Sequence, residues 1–169
     1  YTVADLALLD LGRADEATHL PQALAIWEQL GNVKDKATVL TVLGATAYWK
    51  GEWDAALDYF PRGSDACTRP GDLVSAGYGT SNIADILLDQ GRPDEVVGLR
   101  DVIDLWRSVG HPGPVPAALR NLGRRALQHG DMTKARDPFE EARWADEDIG
   151  AGTVEDDACR VVISEYSRE

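Results

Sequence analysis

The side chains that could do chemistry in this sequence form no recognisable catalytic or metal-binding pattern. His19, His111 and His129 are widely separated, and a metal site needs three or four convergent donors. Ser64-Asp65 and Ser164-Glu165 have no histidine nearby in sequence that could act as their base. No glycine-rich segment ends in the Gly-Lys-Ser or Gly-Lys-Thr of a phosphate-binding loop. We therefore expect no enzyme, no bound metal and no cofactor.

Acidic residues dominate the charge of the chain. Its 169 residues contain 17 Lys and Arg against 29 Asp and Glu, which gives a net charge of −12. Such a chain repels phosphate backbones and anionic membranes, so we expect neither nucleic acid nor a membrane surface as a partner. The run Glu155-Asp156-Asp157 has two interpretations. We interpret it as a solvated helix N-terminus, where negative charge is favourable, and a carboxylate site for a cation is the alternative.

Several features favour a cytoplasmic protein. The longest stretch without a charged residue is 13 residues, Ala37 to Trp49, which is too short to span a bilayer, and no signal peptide is visible. Cys67 and Cys159 form neither a disulfide framework nor a zinc pattern, so we interpret both as small buried side chains. The chain does not begin with Met, which suggests either a fragment of a larger protein or a processed product.

Glycine spacing reveals an internal repeat of 39 or 40 residues. Two glycine series alternate along the chain. The first is Gly12, Gly51, Gly91 and Gly130, and the second is Gly31, Gly71, Gly110 and Gly150. Seven positions before the first-series glycine, the last three repeats have a small residue, namely Gly44, Ala84 and Gly123, whereas the first repeat has Asp5. Small residues at this position predict that two helices approach closely there.

Each repeat is interpreted as a first helix, a glycine turn and a second helix. Alanine and leucine, two of the strongest helix formers, support this all-α interpretation because of their abundance. First helices are predicted near 1–11, 35–50, 74–90, 115–129 and 153–166, and second helices near 15–30, 54–69, 94–109 and 133–149. The second helices would be capped by Asp15, Asp54, Asp94 and Thr133. Three of the predicted second helices contain a proline, namely Pro21, Pro61 and Pro138. These helices are therefore either kinked or begin later than the ranges given above.

These features resemble the tetratricopeptide repeat (TPR) family. The fourth repeat matches its motif best, with Leu122-Gly123, Gly130, Ala135, Phe139 and Ala142, and the second has Leu43-Gly44, Gly51, Ala56 and Phe60. The third repeat is weaker and has Arg100 where these two have phenylalanine. A standard repeat has about 34 residues, and longer ones look like those of large bacterial signalling proteins. There, such arrays follow an ATPase module in transcription regulators, or occur in nucleotide cyclases.

The resemblance implies a right-handed α-α superhelix, or solenoid, of about four helix–turn–helix repeats with 8–9 helices. It would fill residues 1–169 as one domain, with repeats near 1–31, 32–71, 72–110 and 111–150 and a partial repeat at 151–169.

The resemblance also implies a concave groove, lined by the first helices, that binds a protein or peptide. The expected contact residues are Thr41, Tyr48, Trp49, Tyr78, Ser81, Asn82, Asp85, Arg120, Asn121 and Arg124. Asn82 and Asn121 hold equivalent positions and can pair with a peptide backbone. Arg120 and Arg124 suit an acidic side chain or a C-terminal carboxylate of a partner, or they form ion pairs with neighbouring helices.

Three functions remain compatible with this sequence. The first, a protein-interaction scaffold in a signalling or transcription-regulatory protein, is our expectation. The second is a domain that senses a small effector, with Tyr48, Trp49 and Tyr78 as the pocket walls, although Tyr48 and Trp49 are equally compatible with packing between helices. The third is a homodimerisation module. Trp27, Trp106 and Trp144 lie late in second helices, and we expect them in the core.

Overall fold

The computed structural model describes residues 4, 5, 8, 11, 13, 16–67 and 73–148. Over these residues the chain is all-helical, with seven α-helices and no β-strand. They are α1 (Leu20–Gln29), α2 (Val33–Trp49), α3 (Trp53–Cys67), α4 (Leu73–Asp89), α5 (Leu99–Ser108), α6 (Val115–Gln128) and α7 (Met132–Asp148). A short 3-10 helix covers Pro93–Glu95. The helix predicted at 153–166, Cys159 and the acidic run at 155–157 lie outside the described residues.

The chain divides into two compact units, an N-terminal unit of residues 1–79 and a C-terminal unit of residues 80–169. The division falls within α4. In the N-terminal unit α1 and α3 pack against α2, and in the C-terminal unit α5 and α7 pack against α6. None of the helices in the described ranges combines the length and the apolar composition needed to cross a membrane.

The predicted first helices are confirmed within two residues at α2, α4 and α6, and so are the second helices α3 and α7. The predicted starts of the other two second helices are wrong, because α1 and α5 each begin five residues later, at Leu20 and Leu99. Pro21 therefore lies in the first turn of α1, where a proline costs no hydrogen bond. Pro61 and Pro138 do lie inside α3 and α7.

The same local ion pair precedes both late-starting helices. Arg92 donates from Nε and Nη2 to the two carboxylate oxygens of Glu95, each at 2.6 Å, and so closes the 3-10 turn. Arg13 makes the same two bonds to Glu16, at 2.6 and 2.5 Å. In the sequence both pairs belong to a Gly-Arg-x-Asp-Glu segment that begins at a first-series glycine. In both places the Glu N–H also donates to the Arg carbonyl, at 3.1 Å for Glu16 and 3.2 Å for Glu95, so that a separate turn precedes the helix.

Glycine turns end the helices as the spacing predicts. The five described glycines of the two series have left-handed backbone, with φ of 65° at Gly31, 74° at Gly51, 68° at Gly91, 68° at Gly110 and 74° at Gly130. At Gly51 the N–H groups of Gly51 and Glu52 donate to Tyr48 and Ala47, at 2.9 and 2.8 Å. This pair of bonds recurs at the other four turns and satisfies carbonyls at the end of the helix.

The predicted capping residues are wrong for α3 and α5, since Asp54 lies inside α3 and Asp94 lies in the 3-10 helix before α5, and they are wrong for α7 as well. The cap of α7 is Asp131, whose carboxylate accepts from the Lys134 N–H at 2.9 Å, and Thr133 lies two residues further along. For α2 the cap is Asn32, which accepts from the Asp35 N–H at 3.2 Å. Both capping residues directly follow a turn glycine, Gly130 or Gly31, so the helix starts almost without a loop.

Paired helices approach closely where the sequence predicts, at Gly44 and Gly123. A Cβ atom built on Gly44 of α2 would lie 2.8 Å from the Phe60 ring of α3. One built on Gly123 of α6 would lie 2.7 Å from the Phe139 ring of α7. Both phenylalanines are buried. Since carbon atoms pack at about 3.5–4.0 Å, only glycine fits at these two positions.

Asp5, which breaks the small-residue pattern of the first repeat, has a different role. Its buried carboxylate accepts from the N–H groups of His19 and Leu20, at 2.7 and 2.9 Å, at the start of α1. Burial alone would raise the pKa of Asp5, but these bonds and one to the His19 ring outweigh it and lower the pKa. A late-starting α1 thus gains its cap from a residue outside the helix.

Two of the three tryptophans expected in the core follow that expectation. Trp106 of α5 is completely buried, and Trp27 of α1 packs against the cluster of Leu20, Ala23, Val39, Val42 and Leu43. The expectation is wrong for Trp144 of α7, which is 53% exposed.

Replacing Gly123 with alanine should destabilise the protein although alanine is the better helix former. We expect a net loss of about 1–3 kcal/mol in the free energy of unfolding, because the new methyl group collides with the Phe139 ring. Denaturant unfolding followed by circular dichroism measures it.

Gly113→Ala is the matched control, since a Cβ atom there has no heavy atom within 4 Å and no positive φ to strain it. In a Phe139→Leu background the cost of Gly123→Ala should shrink, because the smaller side chain leaves room. A Gly123→Ala variant as stable as the wild type would contradict the close approach.

Candidate binding surfaces

The ten predicted groove residues differ widely in exposure. Thr41, Trp49 and Tyr78 are exposed; Tyr48, Asn82, Asp85, Arg120 and Arg124 are half-buried; Ser81 and Asn121 are buried. Thr41, Tyr48, Trp49 and Tyr78 belong to the N-terminal unit and the other six to the C-terminal unit.

An aromatic cluster lies at the turn between α2 and α3. The Tyr48 ring meets the Trp49 ring edge-to-face with centroids 5.4 Å apart, and meets the Trp53 ring in the same way at 5.6 Å. Trp49 is nevertheless 73% exposed. We call Tyr48, Trp49 and Trp53 the aromatic corner. Because the Tyr48 ring packs against one side of the Trp49 ring, the motion of this exposed indole is restricted.

Trp53 is the member of this corner that the groove pattern does not include. The pattern counts positions back from the turn glycine, whereas Trp53 is the first residue of the second helix, two positions after Gly51. A sequence signal was present, since aromatic residues flank this turn on both sides.

Tyr78 adds a second exposed aromatic ring to the N-terminal unit, on α4, where it is 40% exposed. Thr41 differs, because its hydroxyl already donates to the Ala37 carbonyl of its own helix at 3.1 Å. Its oxygen also lies against Gly63 of α3, 3.2 Å from where a Cβ atom would be. The N-terminal unit therefore offers its aromatic rings, rather than this hydroxyl, to a partner.

In the C-terminal unit, Arg120 and Arg124 form ion pairs. Arg124 of α6 donates to Asp85 of α4 at 3.2 Å and makes a shorter bond to Asp89. Arg120 donates to Asp146 of α7 at 2.8 Å, and that carboxylate is nearly buried. We call these five residues the α6 ion-pair network. The interpretation of the arginines as partners of neighbouring helices accounts for these contacts.

Asn121 lies inside this network and is only 2% exposed. Its side-chain oxygen accepts from Arg124 at 3.1 Å. Its Nδ2 has no hydrogen-bond partner within the described part of the chain, although it lies close enough to Asp85 to favour the ionised carboxylate. In this conformation Asn121 cannot reach the backbone of a bound peptide.

Burial disfavours the ionised form of the Asp85 carboxyl. Burial raises the pKa of Asp85 above its ordinary value, and the neighbouring Asp89 charge adds to this effect, while Asn121, Arg124 and Arg120 oppose it. The charge of Arg124 therefore lowers the pKa of the buried Asp85 carboxyl and favours its ionised form.

The sequence contained a signal for this network. Asp85 and Arg124 occupy the same position in successive repeats, six residues before Gly91 and Gly130. Since successive first helices of a repeat array are neighbours, opposite charges at equivalent positions indicate a pair between helices.

The described residues contain no group of three or more His, Cys, Asp or Glu side chains that could hold a metal ion. Comparisons of the sequence with protein-family models and with curated proteins find no match.

Arg124→Met should destabilise the protein more than Arg62→Met. We expect a loss of about 1–3 kcal/mol at neutral pH for Arg124→Met, because Asp85 and Asp89 then face each other without that cation. Arg62 forms an exposed pair with Asp58 one helical turn away, so its loss should cost less than about 1 kcal/mol. Denaturant unfolding across the acidic range measures both.

The pH dependence follows from the raised pKa of Asp85, which rises further when Arg124 is lost. A raised folded-state pKa gives stability that is present at low pH and lost as pH rises through that pKa. The deficit of Arg124→Met should therefore shrink as pH falls into the range where Asp85 is protonated. A deficit that stays constant down to about pH 4, the ordinary range of Asp, would contradict the network.

Proposed function

We propose that this chain is a protein-interaction module built from TPR-like helix pairs. In this proposal about four repeats, with eight or nine helices, form a right-handed superhelix. Two features of the described residues support it. One is the set of left-handed glycine turns that follow the 39- or 40-residue repeat, at Gly31, Gly51, Gly91, Gly110 and Gly130. The other is the glycine–phenylalanine contact within two helix pairs. A cytoplasmic, bacterial signalling or transcription-regulatory protein is the proposed setting.

The observation that carries the proposal is the exposure of Trp49. A tryptophan that is 73% exposed leaves much apolar surface in water, and tryptophan is the residue type most enriched among the energetically dominant residues of protein interfaces. The edge-to-face contact with Tyr48 restrains the ring before a partner arrives. Less conformational entropy is then lost on binding.

The partner is a peptide or protein segment with an apolar side chain that packs on the aromatic corner. A partner with an acidic side chain or a C-terminal carboxylate, as expected from Arg120 and Arg124, would have to displace Asp146, or Asp85 and Asp89. The exposed aromatic side chains require no such exchange, so the proposal places the main contact on them.

Trp49→Ala should weaken binding of a peptide selected against this protein by at least about tenfold, as loss of a dominant interface residue does. Peptides are selected from a random library displayed on phage, and their affinities are measured by calorimetry. Tyr78→Ala is the second variant, since Tyr78 lies in the same unit and is also exposed.

Trp144→Ala is the matched control, because Trp144 is an exposed tryptophan on α7 outside the aromatic corner. Its affinity should equal that of the wild type. Failure to select any peptide, or equal affinity of the wild type and Trp49→Ala, would contradict the proposal. Light scattering over a dilution series distinguishes the homodimer alternative, which predicts a mass that falls on dilution.

A further inference from the structure

A pocket of about 410 Å³ opens in the C-terminal unit among α5, α6 and α7. Its size falls in the range of small-molecule sites, about 300–1,000 Å³. Arg125 of α6 lies in its lining and is adjacent in sequence to Arg124 of the ion-pair network. Successive residues of an α-helix point about 100° apart, so the pocket lies on a different face of α6 from that network.

The lining is cationic, although the chain as a whole is strongly acidic. Arg100 of α5, Arg125 of α6 and Lys134 of α7 line it, with His129 from the turn between α6 and α7. The acid in the described lining is Asp131, which accepts from the Lys134 N–H at 2.9 Å and pairs with its ammonium at 2.8 Å. That charge compensates Lys134, and the two arginines give the pocket its net positive charge.

Arg125 differs from the other arginines of the described ranges, since each of those forms an ion pair with a carboxylate. Its Nε donates to the Pro93 carbonyl at 3.1 Å, which orients the guanidinium. Its two terminal nitrogens have no acceptor among the described residues. A guanidinium fixed at one end, with free donors at the other, is arranged to hold an oxyanion.

Arg100 is also weakly engaged. The nearest carboxylate oxygen belongs to Glu141 at 3.7 Å, and the same carboxylate is bound more closely by Arg107 at 2.7 Å. Arg100 occupies the position where the second and fourth repeats carry Phe60 and Phe139. A cation thus replaces the ring that fills the helix pair in those repeats.

The remaining lining is apolar and comes from Leu122, Ala126 and Pro138. We propose that this pocket binds a small organic anion. A carboxylate or phosphate group of the ligand accepts hydrogen bonds from Arg125 and Arg100, and its apolar part lies against Leu122 and Pro138. This inference does not depend on the proposed peptide-binding function, which uses residues of the N-terminal unit.

Phenyl phosphate is the probe, and its binding is followed by two-dimensional amide NMR of the full chain. We expect saturable shifts that are largest at residues 125–138. Arg125→Gln and Arg100→Gln should each weaken binding by about tenfold, the effect of one charge-assisted hydrogen bond. Arg62→Gln, which removes an exposed cation from the other unit, should leave the affinity unchanged.

Two further probes separate the contributions of charge and apolar contact. Inorganic phosphate lacks the apolar group and benzyl alcohol lacks the charge, so both should bind more weakly than phenyl phosphate. Benzoate in place of phenyl phosphate distinguishes a carboxylate ligand from a phosphate ligand, and saturable binding of either at this pocket supports the proposal.

Two outcomes would overturn it. One is the absence of saturable shifts with phenyl phosphate and benzoate up to about 10 mM, a limit that corresponds to about 3 kcal/mol of binding free energy. The other is binding that both Arg125→Gln and Arg100→Gln retain at wild-type strength. Thermal unfolding of each variant shows whether it is folded. If Arg125→Gln does not fold, the affinity of Arg100→Gln decides the test.

Discussion

Close packing in two of the helix pairs, α2 with α3 and α6 with α7, depends on the absence of a side chain at one position of the first helix. The Phe60 ring occupies the space above Gly44, and the Phe139 ring occupies the space above Gly123. Each contact lies seven residues before a left-handed glycine that reverses the chain. The turn sets the direction of the second helix, and the phenylalanine fixes its distance from the first. The aromatic corner at the turn of one pair and the pocket beside the other are both positioned by this arrangement.

Charge is distributed unevenly around α6, and this determines which surfaces can bind. On one face Arg120 and Arg124 are neutralised by aspartates of α4 and α7. On the other face Arg125 has no carboxylate among the described residues and lies in a pocket. A guanidinium that already forms an ion pair must lose its carboxylate partner before it binds a ligand. The terminal nitrogens of Arg125 have only water to lose. Three neighbouring arginines in the sequence therefore have two different roles.

Helix positions and turns could be predicted from the sequence because their causes are local. A left-handed glycine and the small residue seven positions earlier are read from single residues at fixed spacing. The starts of α1 and α5 could not be predicted from the repeat period, since the Arg13–Glu16 and Arg92–Glu95 pairs form competing turns. The Gly-Arg-x-Asp-Glu sequence occurs before both helices, and this shared sequence could have predicted their late starts.

The binding residues were harder to predict because their roles depend on neighbours far along the chain. Whether an arginine is free or paired is decided by acids 26 to 39 residues away, as for Arg120 and Arg124. The exposure of Trp144 likewise depends on which face of α7 packs against another helix. Position within a second helix predicted a buried side chain, but the face that α7 turns to α6 carries Ala135 and Phe139 instead. The pocket arises from side chains of three helices and has no continuous sequence motif.

The glycine–phenylalanine contacts can be observed directly by NMR, without any substitution. An aromatic ring shifts the resonances of protons that lie on its face to higher field. We predict such shifted Hα resonances for Gly44 and Gly123, each with nuclear Overhauser effects to the ring protons of Phe60 or Phe139. The Hα resonances of Gly113, which has no neighbour within 4 Å of a Cβ position, should be unshifted. Unshifted Hα resonances at Gly44 and Gly123, with no Overhauser effect to either ring, would contradict the account.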